Sequence, residues 1–253
     1  FVNADGVIEY QTREDRKLLA ETNEYTFIKP NNPDGYCVSQ SFRAGDEGIY
    51  GLGQFQSGIM NWKHVPARLR QTNLEIVIPF IVSTNDYGIY WHNYSETEFN
   101  ATEHEVVFTT TIDEEKRIRE CIFNPELSGI YSFMLESNTQ NTVTQDIDIQ
   151  VVIGGDSIIN YSTYWGPVCF SGQKYLEAGK EYKITLQNTN GIEPGRLLYN
   201  GPDYNKTVFS ATAGNAIDYY FVHGSGPAEV ISEYQRLSGK APLFPKTAYG
   251  FWQ

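Results

Sequence analysis

Short segments in which apolar and polar side chains alternate, each closed by Gly, Pro, Asn or Asp, recur from one end of this chain to the other. They include Tyr25 to Ile28, Glu75 to Val82, Gly88 to Trp91, Val106 to Phe108 and Tyr131 to Leu135. Ile147 to Ile153 stops at Gly154-Gly155, Tyr182 to Leu186 follows the turn Ala178-Gly179-Lys180, and Asp218 to Val222 closes the series. A period of two puts every second side chain on one face, so each segment is a half-buried strand whose apolar face needs a second sheet to cover it. The 18 Tyr, 14 Phe, 4 Trp and 22 Gly suit strands joined by tight turns, and two Met argue against a helical bundle. The expected fold is all-β: an antiparallel β-sandwich with a module inserted in it, and one short C-terminal helix. That helix follows Gly224-Ser225-Gly226, starts at Pro227, carries Val230, Ile231, Tyr234 and Leu237 on one face, and stops at Gly239 ahead of Pro242.

With 253 residues the chain is long enough for one or two packed cores. Its formal charge of −12 repels phosphate backbones and anionic surfaces, which counts against nucleic acid as a partner. The longest apolar run, Ile76 to Val82, is broken by Pro79 and falls far short of the ~20 residues of a membrane-spanning helix. Cys37, Cys121 and Cys169 stand far apart, with neither a zinc-type pair nor a disulfide framework. Asn93, Asn100, Asn160 and Asn205 each open an N-x-[ST] triplet, read as chance in a chain rich in Asn, Ser and Thr.

Reaction motifs are missing where they would be expected. His64, His92, His104 and His223 have no nucleophile signature beside them, and His104-Glu105 is not followed by a second His, so neither a hydrolytic triad nor a metal site is indicated. Gly51-Leu52-Gly53 and Gly224-Ser225-Gly226 read as turn geometry and not as phosphate loops. The segment from Gln54 to His64 holds amides together with Trp62. Amides match the donors and acceptors of sugar hydroxyls and an indole covers the apolar face of a pyranose ring. A surface loop with one docked Trp accounts for it equally well.

Gly48-Ile49-Tyr50-Gly51-Leu52-Gly53-Gln54, Gln71-Thr72-Asn73 before Ile78-Pro79-Phe80, and Tyr87-Gly88-Ile89-Tyr90-Trp91-His92-Asn93 resemble the amino-terminal β-sandwich of glycoside hydrolase family 31. Asp218 to Phe221, Pro227, Glu229-Val230-Ile231, Gly239-Lys240-Ala241-Pro242 and Ala248 to Gln253 are similar to the passage from that sandwich into the family's catalytic barrel. Gly129 to Phe133, Ile153 to Ile159 and Leu176 to Tyr182 resemble a protective-antigen-type module. Gly154-Gly155-Asp156 stands where the calcium-binding branch of that module has adjacent aspartates, so calcium is not implied.

What the resemblance implies is a galactose-mutarotase-like sandwich in two parts, 1–117 and 204–240, a second β-sandwich as the inserted module over 118–203, and a lead-in over 241–253 to a barrel of the same polypeptide. Phe99 to Thr111 and Thr207 to Val222 are expected in one sheet. The family's two reacting aspartates lie on the barrel, so no catalytic residue, metal or cofactor is expected here, and the chain alone should be inactive. The implied partner is an oligosaccharide such as a xyloglucan fragment, taken by an α-xylosidase or α-glucosidase. Trp62, His64, Gln71 and Asn73 are the expected accessory contacts, with packing or loop bracing as the other reading of each. Tyr161, Tyr164 and Trp165 are candidate glycan contacts of the module, or the surface that docks it. An independent carbohydrate-binding or adhesion protein is the alternative function. An acidic, disulfide-poor chain acting on plant polysaccharide fits a periplasm or cell exterior, with the cytoplasm left open.

Overall fold

The computed structural model describes residues 2, 6–29, 35–43, 45–72, 75–114, 118–136, 147–163, 170–189, 196–245 and 248. In chain order the strands are β1 (Glu9–Gln11), β2 (Lys17–Ile28), β3 (Tyr36–Arg43), β4 (Ile49–Gln54), β5 (Ala67–Leu69), β6 (Ile76–Ser83), β7 (Tyr87–Trp91) and β8 (Thr97–Phe99). There follow β9 (His104–Glu105), β10 (Thr110–Asp113), β11 (Ile118–Phe123), β12 (Gly129–Glu136), β13 (Ile147–Ile153), β14 (Asp156–Thr163), β15 (Phe170–Leu176), β16 (Tyr182–Thr189) and β17 (Arg196–Asn200). The chain then runs through β18 (Lys206–Gly214) and β19 (Tyr219–His223) into helix α1 (Pro227–Ser238).

Two sheets, ordered β1-β2-β3-β18-β8-β5 and β19-β7-β6-β4, enclose a first core that includes Phe42, Leu52, Trp62, Ile89, Trp91, Phe99 and Phe209. The other two, β10-β11-β16-β13-β14 and β15-β12-β17-β9, enclose a second core around Phe133, Val151, Phe170, Ile184, Leu186 and Leu197. Strand pairing is antiparallel throughout these ladders, as expected for sheets with one face on a core and one face on solvent. The chain is thus an all-β pair of sandwiches with one short helix.

Several placements differ from the alternation pattern. β8 and β18 do share a sheet, with Phe99 opposite Phe209, but β19 lies in the facing sheet beside β7. β9 and β10, both before residue 118, pair with β17 and β11 in the second sandwich. Gly51-Leu52-Gly53 is no loop: it sits inside β4 at a register shift against β6, all three residues having positive φ (117°, 64° and 107°). This is a bulge that turns the strand while keeping Leu52 fully buried. The helix begins and ends where Pro227 and Gly239 require, yet only Val230 of its expected face is buried; Tyr234 stacks on Phe80 at 4.0 Å while Ile231 and Leu237 stay exposed. It lies across the outside of a sheet, so a narrow stripe suffices to dock it. Residues 240–245 form no strand and leave Leu243 and Phe244 exposed, and most of the expected lead-in strand falls outside the described residues.

Candidate functional site

The loop leaving β4 folds back on its own sandwich, where Trp62 and Val65 join the first core while Met60 stays exposed. Trp62 is 2% exposed, its ring edge-on to Phe55 at 5.1 Å, and its backbone N–H donates to the Ile49 carbonyl at 2.7 Å. Of its two readings, Trp62 takes packing. Asn61 Oδ1 accepts from the backbone N–H groups of Ile49 (3.0 Å) and Lys63 (3.1 Å), so this amide braces the loop.

His64 follows at φ 61° and emerges at the seam of the two sandwiches. There Asn61, Lys63 and His64 face Ile130, Gln173 and Pro202 across a cleft of about 290 Å³. Burial, then the neighbouring Lys63 charge, push the imidazole pKa down to about 4 against a weaker pull from Glu47. A neutral imidazole offers one donor and one acceptor at neutral pH, the pairing a sugar hydroxyl presents.

Gln71 spends its amide on the next turn. Its Nε2 donates to the carbonyls of Glu75 (2.9 Å) and Thr72 (3.3 Å), and its Oε1 accepts from the Val77 N–H at 3.1 Å. Bracing does not hide the residue, which lines a second cleft, of about 450 Å³, together with Arg70, Pro79, Tyr94, Glu96 and Thr97. Asn73 lies outside the described residues, as do Tyr164 and Trp165. Tyr161 packs its half-buried ring on Phe170 at 5.1 Å, in the second core. Among the described residues no group of three or more His, Cys, Asp and Glu is arranged to hold a metal ion, and no helix is long and apolar enough to cross a membrane.

Sequence reasoning brought forward Gln71 and His64 but passed over Arg70, Tyr94 and Glu96. The signal for Tyr94 was a lone aromatic within the polar turn His92-Asn93-Tyr94-Ser95. Structurally, His64 and Gln71 open onto different clefts, so the expected contacts are not gathered at one point.

Residues 2–100 match the glycosyl hydrolase 31 N-terminal galactose mutarotase-like domain. Residues 2–100 thus carry a family 31 galactose mutarotase-like domain. Over 99% of its length it is 23% identical to an alpha-xylosidase of Saccharolobus solfataricus, and over 71% of its length 22% identical to alpha-xylosidase 1 of Arabidopsis thaliana. It spans about a fifth of the length of those curated relatives (20% and 19%). The chain has the fold of part of a solved family 31 alpha-xylosidase from Xanthomonas citri: TM-score 0.71 at 21% identity, over 98% of this chain and 33% of that one.

Proposed function

We propose that this chain is the non-catalytic amino-terminal portion of a retaining α-glycosidase, α-xylosidase- or α-glucosidase-like, acting on oligosaccharides such as xyloglucan fragments. Its work is to support the substrate pocket and line part of it. The observation that carries this reading is the alignment of nearly the whole chain with a minor share of the Saccharolobus and Xanthomonas α-xylosidases. The family 31 resemblance assigns the reacting aspartates to the barrel of the same polypeptide. His64 and Gln71, each on a cleft, are the proposed lining side chains, Asn73 joins them on the resemblance alone, and Trp62 contributes by fixing the loop that carries His64.

The second sandwich is, in this reading, an inserted protective-antigen-type module. The chain leaves the first sandwich after Asn100 and returns to it at β18, and these two points are tied side by side: the Val208 N–H on β18 donates to Asn100 Oδ1 at 3.0 Å. Such an insertion costs the host little when its ends already lie together.

Incubation of the purified chain with p-nitrophenyl α-D-xyloside and α-D-glucoside tests the non-catalytic role. No p-nitrophenolate should be released, and hydrolysis above the rate in buffer overturns it. For pocket lining, the chain joined to a family 31 barrel is assayed with a xylosylated oligosaccharide and with the aryl xyloside. His64→Ala should raise KM for the oligosaccharide several-fold while kcat on the aryl substrate holds. Equal KM values for parent and variant would remove His64 from the pocket.

A further inference from the structure

A sugar-binding cleft needs an aromatic ring with a free face, and the aromatic that the loop supplied, Trp62, is closed into the core. The Gln71 cleft has another. We propose that Tyr94 is the platform on which a pyranose ring stacks in this cleft, held in position through its hydroxyl by His92 and, behind His92, by Asp218. The inference rests on the saccharide reading above and adds a binding residue to it.

Tyr94 is 92% exposed, so the fold gains almost nothing from burying it. Its hydroxyl nevertheless lies 3.3 Å from His92 Nε2, while His92 Nδ1 lies 2.8 Å from Asp218 Oδ2. A carboxylate oxygen accepts, so Nδ1 is the nitrogen that donates to Asp218, and in the tautomer with its proton there Nε2 accepts the Tyr94 O–H. The His92 ring is itself set edge-on to Tyr220 at 5.7 Å, and its backbone N–H donates to the Asp218 carbonyl at 3.0 Å.

The turn that carries Tyr94 is pinned as well. Asn93 Nδ2 and Ser95 Oγ both donate to the Ala213 carbonyl, at 2.9 and 2.8 Å, and the Ser95 N–H donates to Asn93 Oδ1 at 2.8 Å. An exposed ring with its turn and its hydroxyl both fixed has already lost the freedom that binding would otherwise remove. The same cleft is lined by Arg70, which lies 3.9 Å from Glu96, and by Pro79, which adds apolar surface. A guanidinium and a carboxylate offer donors and acceptors to sugar hydroxyls, so the lining of the cleft combines an aromatic ring with charged polar groups.

The experiment titrates the 253-residue chain calorimetrically with methyl α-D-xylopyranoside and with a xylosylated cello-oligosaccharide. Wild type should bind the oligosaccharide. Tyr94→Ala should lose about tenfold or more in affinity, the scale of one ring contact, with an unchanged melting temperature. Tyr94→Trp, which keeps a ring, should bind within about threefold of wild type. Asp218→Asn should weaken binding while Tyr94 stays in place, because the His92 tether loses its charged acceptor. Undiminished binding by Tyr94→Ala, or a wild-type chain that binds neither sugar, overturns the proposal. Either result leaves the non-catalytic reading standing, since that reading fails only on turnover of the aryl glycosides.

Discussion

His64 joins a strained backbone to a suppressed charge. Its left-handed φ is one that Asn adopts more readily than His, and its imidazole titrates near 4 in the folded chain against an ordinary 6.5. Between those values the unfolded chain binds a proton that the folded chain does not, so this contribution to stability is complete above pH about 6.5 and is lost as pH falls towards about 4. Allowing for partial exposure, the loss should amount to roughly 1–3 kcal/mol, read from urea unfolding between about pH 7 and about pH 4.5. His64→Asn keeps the backbone preference and removes the titration, so its stability should change less over that interval. A parallel pH profile for parent and variant would assign the acid sensitivity to carboxylates instead.

The bulge in β4 is the element on which the first sandwich turns. A Cβ at Gly53 would collide with the carbonyl oxygen of Ile76 on β6, in a backbone region costly for any L side chain. Gly53→Ala should therefore cost about 2–4 kcal/mol in denaturant unfolding. Gly58, at φ 72° with open space around its missing Cβ, is the internal control, and Gly58→Ala should cost only about 1 kcal/mol. Similar losses at both sites would mean that β6 yields to the new methyl group. In the helix the punctuation was legible: Pro227 has no N–H to leave unsatisfied at the first turn and Gly239 accepts φ 89° at the last. Its buried stripe was overread, because periodicity marks which residues share a face but not how wide a sheet waits beneath it.

For the whole molecule the decisive contacts lie at the joint between sandwiches. Asn200, fully buried, donates through Nδ2 to the carbonyls of Asn100 (3.1 Å) and His64 (3.4 Å) and accepts at Oδ1 from the Glu103 N–H (3.1 Å). Asn100, also fully buried, holds the Trp62 and Val65 carbonyls from the other side, which keeps the side chain of this N-x-[ST] triplet inside the fold. Ser171 Oγ donates to the Pro66 carbonyl at 2.7 Å, and Arg68 reaches Glu136 at 2.9 Å. Buried polar groups so connected are costly to leave half-paired. The chain should melt in one calorimetric transition, and Asn200→Ala should remove about 2–4 kcal/mol and separate the two cores into two transitions. A single sharp transition in the variant would locate the coupling elsewhere.

Alternation along the chain was enough to determine the all-β class and seven of the nineteen strands among the described residues, though Val106 to Phe108 forms none, and proline and glycine signals placed the one helix, because a strand's period and a helix's end signals are local properties of the backbone. The family resemblance, too, was carried by contiguous residues. Which sheet β9, β10 and β19 would join was decided only in three dimensions, since β9 and β19 pair with strands far away in the chain, β17 and β7, and β10 follows its neighbour β11 into the second sandwich. The fate of each candidate ligand side chain was decided there as well. An exposed and a buried aromatic look alike in sequence, and only the closure of the first core put Trp62 inside and left Tyr94 standing outside, tethered to His92.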